Sequence, residues 1–308
     1  MELEKEKNFV SAVVYIHNDE QFIDEFQEKL SSLFEEKFEN WEIIFVNDKS
    51  TDSSVAKIKS KAADMTKSGV VSILNMSYYQ GLEASMNAGV NLAIGDFVFE
   101  FDSVFVDYDI SFVMDVYKKS LEGFDIVATR PIGKKRISSK LFYIVINRFS
   151  NLQYPLDTEK FRLLSRRAIN RVHSLSKTIP YRKALYANSG LKNCSIEYKP
   201  HNKNRQKKSK GRMNLAVDSL LLFTDVAYRG AFVLSVFMVI IMIVVALYAL
   251  IIKFLGNPAN GWTSTILFLS FAFFGLFAIL GVIIKYLSML IHLTFNKTEY
   301  LFESIEKI

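Results

Sequence analysis

The chain has 308 residues and a net charge of +6, and it is half hydrophobic yet 23% charged. Such a length allows one large domain or two ordinary ones, and the mixture indicates a soluble part joined to a very apolar C-terminal part. The single cysteine, Cys194, excludes an intramolecular disulfide and fits a reducing compartment.

The first 130 residues alternate between strand-like and helix-like segments. Apolar runs bounded by polar residues predict strands, and apolar residues at helical spacing predict helices. This alternation predicts an α/β fold with a mostly parallel sheet covered by helices on both faces. The predicted strands are 10–18, 41–48, 70–76 and 96–102, and the predicted helices between them are 19–36, 50–65 and 81–95.

Three polar loops follow the predicted strands at their carboxyl ends. They read HNDE (17–20), NDKSTD (47–52) and DSVFVD (102–107). Ligands of open α/β sheets bind beyond the carboxyl ends of the strands. We therefore expect these acidic loops to meet at one crevice. For Asp102 alone, a solvated loop position is the plain alternative.

Two segments flank a basic run in the middle of the chain. Segment 139–156 is either a helix in the membrane interface or a core helix, and for 215–230 the interface is favoured because a predicted span follows it. The run at 199–212 contains seven Lys or Arg and no acid. This run is either a solvated loop or a segment that is attracted to anionic lipid. We expect no nucleic acid partner, because no aromatic residues that could stack on bases lie between the basic ones.

Two uncharged apolar runs, 230–252 and 263–284, are each long enough to cross a bilayer. Turn residues separate them, so they predict a transmembrane hairpin, with buried core helices as the alternative. Lys and Arg are concentrated in the flanks of the hairpin, and only Lys253 lies between the two runs, which predicts both termini in the cytoplasm. The charged start, MELEKEKN, predicts no signal peptide.

Several stretches in order resemble the family 2, GT-A-fold glycosyltransferases that act on polyprenyl phosphates. That group includes dolichol-phosphate mannose synthase and the bactoprenol glucosyltransferases with two C-terminal spans. The resemblance covers nearly the whole chain. It rests on VVYIHNDE, WEIIFVNDKSTDSS, YYQGLEASMNAGVNLAIGDFV, FRLLSRRAI and the ending TEYLFESIEKI.

The resemblance implies four segments. These are a GT-A nucleotide-sugar domain (1–138), an acceptor-side region (139–229), the hairpin (230–295) and a cytoplasmic tail (296–308). It implies inverting transfer of one sugar from a nucleotide-sugar to polyprenyl (undecaprenyl) phosphate at the cytoplasmic face of a bacterial inner membrane. Homo-oligomers are also implied by the relatives.

The resemblance also implies roles for individual residues. Asp102 would be the first Asp of an Asp-x-Asp motif that holds Mg²⁺ or Mn²⁺ on the donor diphosphate, where the cation acts as a Lewis acid. Glu159 and Asp157 are the further catalytic candidates. The implied nucleotide-binding residues are Asp19, Glu20, Asn47 and Asp48. The implied acceptor-phosphate residues are Arg130, Arg136, Lys160, Arg162, Arg205 and Lys210.

Five positions depart from the pattern of that family, one of which is Tyr15 in place of a proline at the end of the first strand. Val104 replaces the second Asp of the metal motif, and Lys160 replaces the Asp that precedes Phe-Arg-Leu. The plain alternative for Lys160 is a surface lysine on the edge of a helix. Asn47 replaces one Asp of an Asp-Asp pair, and Lys49 replaces a turn glycine. The alternative function is a catalytically degenerate binding or assembly subunit. A processive polysaccharide synthase is disfavoured, because a Gln-x-x-Arg-Trp motif is missing.

Overall fold

The computed structural model describes residues 4–63, 69–133, 137–149, 152–175, 181–201, 261–295 and 300–308, with scattered residues between 230 and 251. The chain divides into two compact units. The first comprises Met1–Asn147, Leu152–Leu215 and Thr298–Ile308. The second comprises Arg148–Asn151 and Ala216–Lys297.

The first unit contains the sheet. Its strands are β1 (Val10–Ile16), β2 (Trp41–Asn47), β3 (Gly69–Met76), β4 (Phe97–Phe101), β5 (Ile126–Pro131), β6 (Phe161–Ser165), β7 (Asn193–Tyr198) and β8 (Phe302–Lys307). Its helices are α1 (Ile23–Lys37), α2 (Ser54–Ala63), α3 (Leu82–Leu92), α4 (Phe112–Leu121), α5 (Ile137–Phe149), α6 (Arg166–Leu175) and α7 (Arg182–Ala187).

The eight strands form one sheet in the order β7-β5-β6-β4-β1-β2-β3-β8. The pairs β1·β2, β1·β4, β2·β3 and β5·β7 are parallel, and the other three pairs are antiparallel. Every residue of β2 is buried and β1 is nearly so, as parallel strands covered on both faces require. The predicted α/β fold with a mostly parallel sheet is therefore confirmed.

Two hydrophobic layers cover the sheet. On one face α1, α2 and α4 bury residues such as Phe26, Ile58 and Tyr117. On the other face α3, α6 and α7 bury residues such as Met86 and Ile169. Both layers are apolar because the strands alternate their side chains between the two faces.

The C-terminal segment completes the sheet. Residues 296–308 were predicted to be a tail, and in the structure Phe302–Lys307 form β8, which pairs antiparallel with β3 at the edge of the sheet. Strands β5, β6 and β7 also lie outside the strands predicted from the sequence.

The second unit is helical where it is described. Its helix α8 spans Trp262–Phe295, and the described positions between 230 and 251 are helical too. These helices approach closely, since a Cβ placed on Gly275 would lie 2.4 Å from Cε of Met238. Among the residues that the structure describes, no helix has the length and apolar composition that crossing a bilayer requires. The hairpin thus stays a prediction.

Candidate functional site

Three polar loops leave neighbouring strands at one edge of the sheet. Strand β1 lies between β2 and β4, with Ile16 opposite Asn47 and Val14 opposite Phe101. Neighbouring strands are about 4.8 Å apart, so Asp48 and Asp102 follow strands separated by roughly 10 Å. The loops after β1, β2 and β4 are the walls of the candidate site.

The loop after β1 is bound to the start of α2. The amide of Asp19 donates to Oγ of Ser54 at 2.9 Å, and Oε2 of Glu20 accepts from the amide of Ser53 at 3.0 Å. Oδ2 of Asp52 accepts from the amide of Glu20 at 3.1 Å. Asp19 and Glu20, predicted to contact the nucleotide, are thus part of the contact that joins the first two loops.

Asp48 lies at the centre of this edge and is wholly buried. Its Oδ1 accepts from the amide of Gln80 at 2.8 Å. Its Oδ2 accepts from the amide of Gly81 at 2.8 Å and from the hydroxyl of Tyr15 at 2.9 Å. Burial and the charge of Asp48 raise the pKa of Tyr15 above its usual range, so the phenol stays a donor. Asp48 therefore holds the loop that precedes α3.

The neighbours of Asp48 shape the second loop. Nδ2 of Asn47 donates to Oδ1 of Asn75 at 2.8 Å, and Oδ1 of Asn47 accepts from the amide of Ser50 at 2.9 Å. Lys49 adopts φ 54°, the region that favours glycine. This turn therefore has a backbone conformation that favours glycine although a lysine occupies the position.

An aromatic pair lies beside Asp48. The rings of His17 and Tyr79 are 4.7 Å apart at 53°, and Nδ1 of His17 lies 2.7 Å from the carbonyl oxygen of Asp48. Tyr78 and Tyr79 are both about half exposed after β3. Exposed rings at a sheet edge can stack on a flat heterocycle such as a nucleobase. Neither tyrosine was predicted to be a site residue, although the sequence YYQG shows two adjacent tyrosines at the end of a strand.

Asp102 is held by two arginines. Its Oδ1 accepts from Arg182 at 2.9 Å and its Oδ2 accepts from Arg162 at 3.2 Å. Burial acts to raise the pKa of Asp102, but Arg162, Arg182 and Lys183 outweigh it and lower the pKa to about 2. The carboxyl is therefore ionised over the physiological range.

The two arginines belong to a larger buried network. Arg162 contacts Glu100 at 2.6 Å and Glu159 at 3.0 Å. Arg182 contacts Glu83 at 3.0 Å and Glu100 at 2.8 Å. Both guanidinium groups are 1% exposed, so carboxylates balance them inside the protein.

Three members of this network, Glu83, Glu100 and Arg182, were missed by sequence reasoning. The available sign was Glu100, a charged residue inside the otherwise apolar strand FVFEF, since a buried charge requires a partner.

The residues around Asp102 do not form a divalent-cation site as they are arranged. Both oxygens of Asp102 accept from guanidinium groups. Val104 offers no ligand atom, is 1% exposed and belongs to the hydrophobic core. Within the described part of the chain, no group of three His, Cys, Asp or Glu residues is placed to hold a metal ion.

Each described residue that was predicted to bind an acceptor phosphate contacts a different acidic partner. Nζ of Lys160 pairs with Asp107 at 3.0 Å and lies 5.2 Å from the ring centre of Phe105. Nε of Arg130 pairs with Asp157 at 3.1 Å, and the Arg162 guanidinium lies inside the buried network. Three further predicted residues, Arg136, Arg205 and Lys210, lie outside the described residues.

Comparison with known proteins decides the family. Residues 11–172 match the family described as glycosyl transferase family 2. The chain belongs to glycosyl transferase family 2. This matched segment begins in β1 and ends in α6, so it contains Asp48, Asp102 and Arg162. The predicted activity class, a family 2 glycosyltransferase, is confirmed.

Relatives match this glycosyltransferase along most of its length. An uncharacterised glycosyltransferase, YkcC of Bacillus subtilis, is 25% identical over 296 residues, covering 90% of this chain and 88% of the relative. The bactoprenol glucosyl transferase of Shigella phage SfV is 25% identical over 283 residues, covering 89% and 90%.

A solved structure shares the fold of this glycosyltransferase. It is a mannosyltransferase from Pyrobaculum calidifontis, determined in complex with GDP-Man and Mn²⁺. Its TM-score is 0.50 at 12% identity, and the match covers 70% of this chain and 63% of that chain. The likeness supports the GT-A-like arrangement of the sheet.

Proposed function

We propose that this chain transfers a single sugar from a nucleotide-sugar to a polyprenyl phosphate. The observation that carries the proposal is the match to a bactoprenol glucosyl transferase over 89% of this chain, which extends well beyond the family segment at 11–172. A relative that matches both the family segment and the C-terminal half in sequence supports a shared acceptor as well as a shared donor class.

The donor would bind at the edge formed by the loops after β1, β2 and β4. The ring pair His17 and Tyr79 offers a stacking surface for the base, and Asp48 orders the loop that carries Tyr79. Asn47, Asp19 and Glu20 lie on the same loops. This arrangement supports a nucleoside diphosphate as the ligand, with uracil or guanine as its base.

The chemistry is a direct displacement. An oxygen of the lipid phosphate attacks the anomeric carbon, the bond to the nucleoside diphosphate breaks, and the anomeric centre inverts. The phosphate is already ionised and needs no general base of its own. The resemblance implies Mg²⁺ or Mn²⁺ at Asp102, but no step is assigned to a cation here, because the residues described around Asp102 lack a ligand set.

The acceptor would be presented at a membrane. The proposed arrangement has the hairpin 230–252 and 263–284 in the inner membrane, with both termini and the sheet in the cytoplasm. The basic run 199–212 and the segments 139–156 and 215–230 would then bring the site to the lipid headgroups. Support comes from the apolar composition of both runs and from the positive flanks.

The test uses the purified full chain in detergent with undecaprenyl phosphate. Radiolabelled UDP-glucose, UDP-galactose, UDP-N-acetylglucosamine and GDP-mannose are supplied one at a time. We expect label from one donor to enter the lipid phase, with a β-linked product from an α-linked donor. The transfer is measured with added Mg²⁺, with added Mn²⁺ and with chelator.

A matched pair of variants controls this experiment. Asp102→Asn removes the charge held by both arginines, and Asp109→Asn removes an exposed charge of the same acidic stretch. We expect the first variant to lose transfer and the second to keep it. Binding of a donor without transfer to lipid by the unaltered chain would favour the degenerate binding subunit over the transferase.

A further inference from the structure

The C-terminal strand contacts the candidate nucleotide site through side chains. In the pairing of β8 with β3, Ser304 lies opposite Asn75. Nδ2 of Asn75 donates to Oε1 of Glu306 at 2.8 Å and to Oγ of Ser304 at 3.1 Å. The side chain of Asn75 is therefore held by residues of β8. Strand β2, which ends at Asn47, lies on the other side of β3.

Glu306 fixes which way the Asn75 amide points. An ionised carboxylate only accepts hydrogen bonds, so Asn75 must turn its NH₂ towards Glu306. Its oxygen then faces β2, where it accepts from Nδ2 of Asn47 at 2.8 Å. The oxygen of Asn47 in turn accepts from the amide of Ser50 at 2.9 Å. One carboxylate thus sets the direction of two amides in series.

A second path runs from the same segment to Asp48. The side-chain oxygen of Gln80 accepts from the amide of Leu301 at 2.9 Å, and its NH₂ donates to the Leu301 carbonyl oxygen. That carbonyl also accepts from the amide of Ser77 at 3.1 Å. The backbone N–H groups of Gln80 and Gly81 donate to the carboxylate of Asp48. The loop before α3 is therefore held between Asp48 and the C-terminal segment.

We propose that Glu306 and Gln80 are positioning residues for nucleotide binding, acting through Asn75 and Asn47 on one path and through the loop at Asp48 on the other. The proposal rests on the proposed function, in which Asn47 and Asp48 belong to the donor site. The final strand of the chain thereby sets the affinity for a nucleoside diphosphate from the far side of β3.

The test compares two substitutions at one position. Glu306→Met and Glu306→Gln both remove the ion pair with Lys59, but only Gln keeps an oxygen that accepts from Asn75. Binding of UDP and of GDP to the full chain is measured by titration calorimetry in detergent. We expect Glu306→Met to weaken binding about five-fold, the loss of roughly one hydrogen bond, and Glu306→Gln to stay within about two-fold of the unaltered chain.

A control on the same strand is Glu303→Met. Glu303 pairs only with the exposed Lys49 in the contacts described, at 3.1 Å, so its loss should leave affinity within about two-fold. Gln80→Leu removes the second path and should also weaken binding. Equal affinities of Glu306→Met and Glu306→Gln would overturn the proposal.

A second readout does not depend on the nucleotide. Labelling asparagine with ¹⁵N reports the side-chain amides of Asn47 and Asn75 by NMR. We expect both resonance pairs to move in Glu306→Met, whereas in Glu306→Gln the Asn75 pair should shift with its changed acceptor and the Asn47 pair should stay. If the unaltered chain binds neither UDP nor GDP, the proposed function fails, while an Asn47 resonance that does not move in Glu306→Met overturns the positioning role.

Discussion

Glu100 of β4 and Arg162 of β6 lie directly opposite one another in the sheet, and their side chains meet at 2.6 Å in the interior. Neither side chain has more than 1% of its surface exposed. Charges at such a depth need partners on every side, and here Arg182 and Tyr186 complete the shell of Glu100. A network of buried ion pairs thus supports the candidate site.

Removing the charge of Glu100 should destabilise the fold strongly. Glu100→Gln leaves Arg162 and Arg182 partly uncompensated, and breaking a buried pair costs about 3–5 kcal/mol. The matched control, Glu122→Gln, breaks the exposed pair with Lys119 and should cost less than about 1 kcal/mol. Denaturant unfolding of both variants checks this. Equal midpoints would show that the buried network contributes no more than a surface pair.

The stability of the sheet unit should depend on Asp102 at low pH. Its folded pKa of about 2 lies below the ordinary 3.8, so its contribution is full above about pH 4 and is lost as the pH falls towards 2. The shift corresponds to about 2 kcal/mol. We expect the difference in unfolding midpoint between the unaltered chain and Asp102→Asn to shrink over that range. A difference that stays constant down to about pH 2 contradicts the assignment.

Restoring the second Asp of the metal motif should not restore a metal site. Val104 lies in the core, so Val104→Asp buries a carboxyl among apolar side chains and should cost more than about 3 kcal/mol. Val104→Thr, nearly equal in shape, should cost about 1–2 kcal/mol. Unfolding measurements with an Mn²⁺ titration followed by EPR check both. A stable Val104→Asp chain with a new Mn²⁺ site would show that this position can face the donor.

Lys49 allows the strain of the second loop to be measured. Lys49→Gly and Lys49→Val both lose the exposed ion pair with Glu303, but only glycine accepts φ 54° without strain. We expect the glycine variant to be at least as stable as the unaltered chain, and the valine variant to be less stable than the glycine variant by about 1–2 kcal/mol. Thermal unfolding of the two variants gives the comparison. Identical midpoints would mean that the turn relaxes at no cost.

The central sheet could be predicted because its information is local. Strands β1 and β2 are uninterrupted apolar runs that end in polar loops, and the topology of parallel strands then places those loops at one edge. The loops that carry Asp48 and Asp102 were found in this way, and the family resemblance then selected these two residues. Their contacts were not found, because the partners are distant in sequence: Gln80 is 32 positions from Asp48, and Arg182 is 80 positions from Asp102.

The last strand was hidden for a similar reason. The segment FESIEK has only two apolar residues, which do not alternate with the polar ones, and it carries three charges, as an exposed tail would. Its pairing depends on β3, an apolar strand whose edge is otherwise open, and an exposed edge strand on that side can be charged on its outer face. Composition alone does not distinguish such a strand from a solvated end.

The position of β8 has a consequence for biosynthesis. Asn75 and its partner Ser304 are 229 positions apart, and at roughly 5–20 residues per second a ribosome needs about 10–50 s to make the chain between them. Throughout that interval β3 is an unpaired edge strand of the nascent sheet, while the apolar runs 230–252 and 263–284 are being synthesised. The nascent chain therefore exposes an unpaired strand edge until β8 has been made and pairs with β3.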